Sequence, residues 1–289
     1  MLQQLINGMM LGSVYVLIAV AFTLSIGILN FLNFSIPGLF MLGGMISWVL
    51  ISMGVPPLLA FGLAFLIACA CALVVEKLTF SWMKGSDHEV PLVSSLGFLI
   101  LFEQILLVFY GSDQQAFPKV IPNATLKLGD LVIGSAQLLG LVLSIAIVIG
   151  ISRFLKKTRV GRGIRAIAED TTTAEFLGIN VNVVVPLIFL ISGAVAAIGG
   201  MLFAVNYSQV SPFMGEEVGF KGISAMIIGG MGSVWGAIAG GLLIGLAEVM
   251  SIYFLGSDFV DLSVYGLLLI ILMVRPQGLF GLAQVREKL

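Results

Sequence analysis

No charged side chain occurs in the first 75 residues, and Glu76 is the first to appear. A stretch of that length without charges cannot make the solvated surface of a soluble domain, so its outward faces must meet lipid. The rest of the chain agrees. Of its 289 residues 59% are hydrophobic and only 10% charged, against about 25% charged in an average soluble domain. The expectation is an all-α integral membrane protein forming one transmembrane domain over residues 1–289, with no room for a large soluble domain. The net charge of −1 gives no basis for a nucleic-acid partner. Met1-Leu2-Gln3-Gln4 lacks a positive n-region, so the first span is expected to be retained. Cys69 and Cys71 sit two apart in an apolar run and point away from each other on a helix, which argues against a disulfide or metal pair.

A span needs about 20 apolar residues. Eight candidates meet this roughly: Leu5–Leu29, Ile36–Met53, Leu58–Trp82, Pro91–Tyr110, Leu131–Leu155, Val183–Val205, Gly236–Leu255 and Leu262–Val274. Phe220–Gly229 is shorter and precedes Gly229-Gly230-Met231-Gly232-Ser233, so a short or broken helix is expected there. The segment from Arg153 to Arg165 holds six of the fourteen basic residues and is therefore expected to face the cytoplasm. Arg275, Arg286 and Lys288 place the C-terminus on the same side. That count closes only if Phe220–Gly229 also crosses. Alternation puts Lys77 and Lys84 inside and the loop Gly111–Asp130 outside; the charge rule is silent about the N-terminus. Met41-Leu42-Gly43-Gly44-Met45 is echoed by Ile227-Ile228-Gly229-Gly230-Met231, and glycine-interrupted segments in two halves are what repeat-built transporters show.

Two ridges of small residues suggest close helix packing. One combines Gly232, Gly236 and Gly240 with Gly229, Ser233, Ala237, Gly241 and Gly245; the other is Ser192, Ala196, Gly200 and Ala204. Ionisable or amide groups inside spans are costly and mark candidates for function, with interhelical hydrogen bonding as the plain alternative. These are Glu103, Gln104, Glu248, Asn7, Asn30, Asn33 and Asn206. Glu103 or Gln104 is expected to border a solute route.

Thr172-x-x-Glu175 has the spacing of a capping box and Gly178 that of a helix stop. A short helix over Thr173–Leu177 is therefore expected within a coupling loop at residues 156–182, as a docking element. No G-x-x-x-x-G-K-[ST] phosphate loop occurs, the lone histidine, His88, reads as a solvated loop residue, and no metal or nucleophile cluster is evident. The chain is expected not to be an enzyme and to bind no cofactor itself.

Arg165-Ala166-Ile167-Ala168-Glu169-Asp170, then Ala174 and Leu177-Gly178-Ile179-Asn180, resemble the cytoplasmic loop of LivH-type permeases of bacterial branched-chain amino acid ABC importers. The resemblance continues through Ser192-Gly193-Ala194, Ser211-Pro212-Phe213, Gly219-Phe220-Lys221 and Gly229-Gly230-Met231-Gly232-Ser233. It extends over Gly236-Ala237, Gly240-Gly241-Leu242, Gly245 and Glu248, and ends at Arg275-Pro276-Gln277-Gly278-Leu279-Phe280-Gly281. The N-terminal half matches more loosely, at Gly12-Ser13-Val14-Tyr15 and Asn33-Phe34. What this resemblance implies is a type II ABC importer permease fold in the bacterial inner membrane. Its implied partners are a second, related permease, forming a heterodimer, two cytoplasmic ATPases that use ATP and Mg, and a periplasmic solute-binding protein. The coupling residues it implies are Arg159, Gly161, Arg162, Arg165, Glu169, Asp170, Ala174, Glu175, Leu177 and Gly178. The translocation path would draw on Ser13, Tyr15, Asn33, Phe34, Ser95, Glu103, Gln104, Gly229 and Gly230.

The family usually reads Asn-Phe-Ala-His-Gly-Glu after the first span. This chain has Asn33-Phe34-Ser35-Ile36-Pro37-Gly38, so its histidine and carboxylate are gone, and Glu103 stands where many relatives carry glutamine. Related scaffolds move urea, short amides or aromatic acids, which keeps the solute open. A secondary transporter coupled through Glu103 and Glu248, and a passive channel, are the readings from other classes.

Overall fold

The structure is a computed structural model that describes residues 1–29, 31–82, 89–121, 125–128 and 131–281. His88, Asn30, Lys84, Arg286 and Lys288 lie outside the described residues. Eleven helices are present among those described: α1 (Leu2–Leu29), α2 (Ser35–Ser52), α3 (Pro57–Glu76), α4 (Glu89–Tyr110), α5 (Ser135–Lys157), α6 (Arg159–Glu169), α7 (Thr171–Phe176), α8 (Val181–Tyr207), α9 (Met214–Gly229), α10 (Val234–Phe254) and α11 (Val260–Val274). A π-helical turn, Lys77–Ser81, extends α3, and a 3-10 turn, Ser257–Phe259, leads into α11. Counting α3 and α11 with their adjoining turns, eight helical segments are long and apolar enough to cross a bilayer; α9, with 16 residues, is not among them.

Some boundaries differ from expectation. The short segment expected over Phe220–Gly229 begins six residues earlier, at Met214. Leu131–Leu155 is not one span: strands β2 (Thr125–Leu128) and β3 (Leu131–Gly134) pair antiparallel, and α5 starts only at Ser135. Leu131-Val132-Ile133 is apolar enough for a helix, yet the β-branched Val132 and Ile133 suit a strand with a partner. The short loop helix is likewise Thr171–Phe176, not Thr173–Leu177. Its cap is Asp170, whose Oδ1 accepts from the Thr173 N–H at 2.9 Å; the carboxylate wins the role assigned to Thr172. Gly178 does end this region, at φ +83°.

The bundle has two ends. At one, called the hairpin end, Gln3 of α1 both donates to the Val132 carbonyl (2.9 Å) and accepts from its N–H (3.0 Å). There too the Trp48 indole, from the last turns of α2, donates to the Ala116 carbonyl (3.1 Å), and β1 (Gln115–Ala116) pairs with β4 (Gln209–Val210) after α8. At the other, the loop end, lie α6 and α7. The tail after α11 joins them on that side: the Leu279 and Phe280 N–H groups donate to the Ile228 and Gly229 carbonyls, each at 2.8 Å.

The charge-free N-terminus is explained by where α1 sits. Its spanning window is 89% buried, against 22% for α4 and α5, so α1 is the central post and meets mostly helices. Glycines set that packing. A Cβ on Gly12 would come within 2.9 Å of the Leu242 backbone, and one on Gly241 within 2.6 Å of the Val16 nitrogen. Gly240 packs against Ala225, and Gly236 against Gly229, which seats α9 on α10. Gly232 is not part of that ridge, because it lies in the turn before α10 at φ +83°. The paired glycines of the internal echo take different roles. Gly43 and Gly44 lie inside α2 against α8, whereas Gly230 caps α9 at φ +108° with the tail laid across it.

Candidate functional site

The loop between α5 and α8 is a built platform. The Thr158 hydroxyl caps α6 by accepting from the Gly161 N–H at 2.9 Å. Gly161, Ile164 and Ile167 turn inward, and with Ala174, Val181, Val184 and Ile188 they form a core that includes Phe31, just beyond α1. Gly161 must be small because a Cβ would sit 2.5 Å from the carbonyls of Phe154 and Leu155. Gly161 and Ala174 therefore hold the loop together instead of facing outward. Arg159, Arg162, Arg165, Glu169, Asp170, Glu175, Leu177 and Gly178 are all exposed. The Thr173 backbone N–H on Asp170 holds its carboxyl below the usual carboxylate range.

Sequence reasoning missed Phe176. It is 88% exposed, and its neighbour Leu177 74%, at the tip of a polar loop and fixed by a capped helix. Two large apolar side chains held into solvent mark a contact surface. The available signal was an apolar pair following a capping motif.

Within the bundle the expected path residues do not form one site. Tyr15 is buried and its hydroxyl donates to Glu248 Oε2 at 2.6 Å. Lys221 donates to Glu248 Oε1 at 3.0 Å and lies 3.9 Å from the Asp261 carboxylate. This cluster ties α1, α9, α10 and α11 together. Lys221 was the missed member, an isolated cation in the short helix. Glu248 also lines a cavity of mixed polarity, about 520 Å³, toward the hairpin end, with Asn7, Gln137, Asn206 and Tyr207 beside Leu11 and Val249. Ser13 is buried and donates to the Met10 carbonyl (2.6 Å), an ordinary intrahelical bond.

Asn33, Phe34 and Ser95 make a second group. The Asn33 carboxamide oxygen accepts from the Ser35 N–H (3.1 Å) and hydroxyl (2.7 Å), while the Ser95 hydroxyl accepts from the Phe34 N–H (3.0 Å). They fix the turn from α1 into α2 against α4. Glu103 is half-buried and Gln104 exposed on α4, beside Val108 and Phe109, which are 81% and 74% exposed. They face away from this chain's own core. Gly229 and Gly230 are packing positions at the loop end, as described above. Among the described residues no group of three His, Cys, Asp or Glu could hold a metal, and Cys69 and Cys71 are free thiols.

Residues 4–274 match the family described as "Branched-chain amino acid transport system / permease component". The chain belongs to that family. This permease is 31% identical over 299 residues to the high-affinity branched-chain amino acid transport system permease protein BraD of Pseudomonas aeruginosa, covering 99% of this chain and 97% of the relative. It is 33% identical over 300 residues to LivH of Escherichia coli K12, with the same coverages. A probable LivH of Methanocaldococcus jannaschii is 26% identical over 290 residues, covering 93% of the permease and 89% of that protein. Among solved structures, PsaBC from Streptococcus pneumoniae in complex with Fab aligns with a TM-score of 0.51 at 15% identity, covering 96% of the permease and 92% of that chain; the likeness is one of fold. Two motifs quoted for the resemblance, Gly229–Ser233 and Arg275–Gly281, meet in space where the tail bonds α9.

Proposed function

We propose that this permease is one membrane subunit of an ATP-driven importer for branched-chain amino acids in a bacterial inner membrane. Its loop end faces the cytoplasm, as the basic residues at Arg153–Arg165 favour, and so does its C-terminal tail. The N-terminus, bonded to the hairpin, then faces the periplasm. The α6–α7 platform receives the motion of a partner ATPase that uses ATP and Mg. The observation that carries this reading is the exposed pair Phe176–Leu177 on a helix whose other face is locked into the bundle. Arg162, Arg165, Glu169 and Glu175 would surround that contact.

The solute route in this reading runs along the free face of α4, by Glu103 and Gln104, and is completed by a second, related permease. A periplasmic binding protein would deliver the amino acid at the hairpin end. Glu248 suits the alternative of an ion-coupled carrier poorly, because Lys221 already neutralises it. Proteoliposomes holding the assembled subunits decide the matter. Leucine uptake that needs ATP and the binding protein, and that survives collapse of ion gradients, supports the proposal. Gradient-driven uptake without ATP overturns it.

A further inference from the structure

The face that α1 shows between α5 and α10 is not closed by protein toward the loop end. A cavity of about 620 Å³ lies there. Its walls are apolar, formed by Leu141, Ile145 and Val148 of α5, Val16 of α1, and Ile238 and Leu242 of α10. From Leu141 to Lys157 the groove runs about 24 Å at the helical rise. That is about one leaflet of hydrocarbon, 15 Å, plus its head-group region.

The mouth of the groove is cationic. Arg153, Lys156 and Lys157 line it together with Trp235, and they form no ion pair among the described residues. The Lys156 ammonium stands 6.0 Å from the centroid of the Trp235 ring, a contact that holds the charge at the rim. Trp235 is exposed, in the manner of a tryptophan at head-group level. Three cations with no ion pair among the described residues, above an apolar slot one leaflet deep, complement an anionic amphiphile.

We infer that this groove is a site for one anionic phospholipid of the loop-end leaflet. Its phosphate lies among Arg153, Lys156 and Lys157, and an acyl chain runs along α1 between α5 and α10. The site adjoins Thr158 and the start of α6, so the bound lipid braces the root of the loop platform.

The test uses the assembled importer in nanodiscs of palmitoyl-oleoyl phosphatidylglycerol or of the corresponding phosphatidylcholine, read by native mass spectrometry of retained lipid. The wild type is expected to keep one phosphatidylglycerol per permease and no phosphatidylcholine. R153Q/K156Q/K157Q should weaken phosphatidylglycerol binding on the order of 100-fold, at about 1 kcal/mol per cation near the surface. Ile145→Trp fills the slot from an exposed position and keeps every charge, and it should also release the lipid. Equal retention of both lipids, or retention by either variant, overturns the assignment. So does efficient crosslinking of an Ile145→Cys permease to its partner permease, which would mean that protein covers the groove.

Discussion

Replacing Lys221 by methionine should cost more stability than replacing its partner Glu248 by glutamine. The two side chains are 14% and 13% exposed, with 3.0 Å between charged atoms. Breaking a buried pair from one side typically costs about 3–5 kcal/mol, because the other charge is stranded. In Lys221→Met the stranded group is the Glu248 carboxylate, left with one neutral donor, the Tyr15 hydroxyl at 2.6 Å. A hydrogen bond to a charged group recovers about 1.5–3 kcal/mol and is already made, so it does not offset the loss. In Glu248→Gln the stranded group is Lys221, which keeps Asp261 at 3.9 Å, a residue 73% exposed, and can lean toward it and toward water. That variant should fall below the 3–5 kcal/mol range. In Lys221→Met/Glu248→Gln no charge is stranded, so the double variant should lose less than the two singles added, by about 2–3 kcal/mol of coupling. Unfolding in mixed SDS–detergent micelles, followed by tryptophan fluorescence, measures all three. Simple additivity, or a Glu248→Gln loss equal to that of Lys221→Met, would refute the ion-pair account.

Phe176→Asp/Leu177→Asp should abolish copurification of the partner ATPase while unfolding within about 0.5 kcal/mol of wild type, as surface substitutions do; loss of fold would contradict the exposed placement. Gly200→Ala pushes a Cβ into the Phe40 backbone and should destabilise by about 1–3 kcal/mol, whereas Gly62→Ala, with open space around it, should stabilise by about 0.5–1 kcal/mol; the same micelle titration reads both. Asp170→Ala should fray α7 and speed amide exchange at Thr173, whose N–H it holds. Because the folded Asp170 titrates below the unfolded value of about 3.9, its cap is fully present above that pH. It is lost as pH falls through the lower folded value, and exchange at Thr173, corrected for intrinsic rate, should rise only there.

What was legible in the sequence tracks what a bilayer demands locally. Spans, the short α9 and the basic loop follow from runs of apolar residues and from where lysine and arginine collect, since each is set by neighbours along the chain. Asp170, the actual cap, stands two residues before Thr172. Thr172-x-x-Glu175 fits the spacing, but a carboxylate two residues earlier is an equally good acceptor, and spacing alone does not rank them. The strand at Leu131–Gly134 was hidden for a related reason: a short apolar run adjoining a span reads as more span until its hairpin partner is known.

The polar interior was legible only as cost, not as partnership. Glu248 stood out because a carboxylate in a span needs a reason, but its cation lies 27 positions away on a helix too short to be a secure span. No periodicity joins Lys221, Tyr15 and Glu248; only the packing of α9 and α1 on α10 does, and that packing rests on glycines. Gly222 of α9 faces Ile18, and Gly240 of α10 faces Ala225, so the small residues near Lys221 fix its distance from Glu248. Read singly, the glycines signal close approach and the charges signal expense. Together they mean that an added methyl at Gly222 or Gly240 should disturb the ion pair without touching either charge. A double-mutant cycle of Gly240→Ala with Lys221→Met would detect that as non-additivity between positions that share no polar atom.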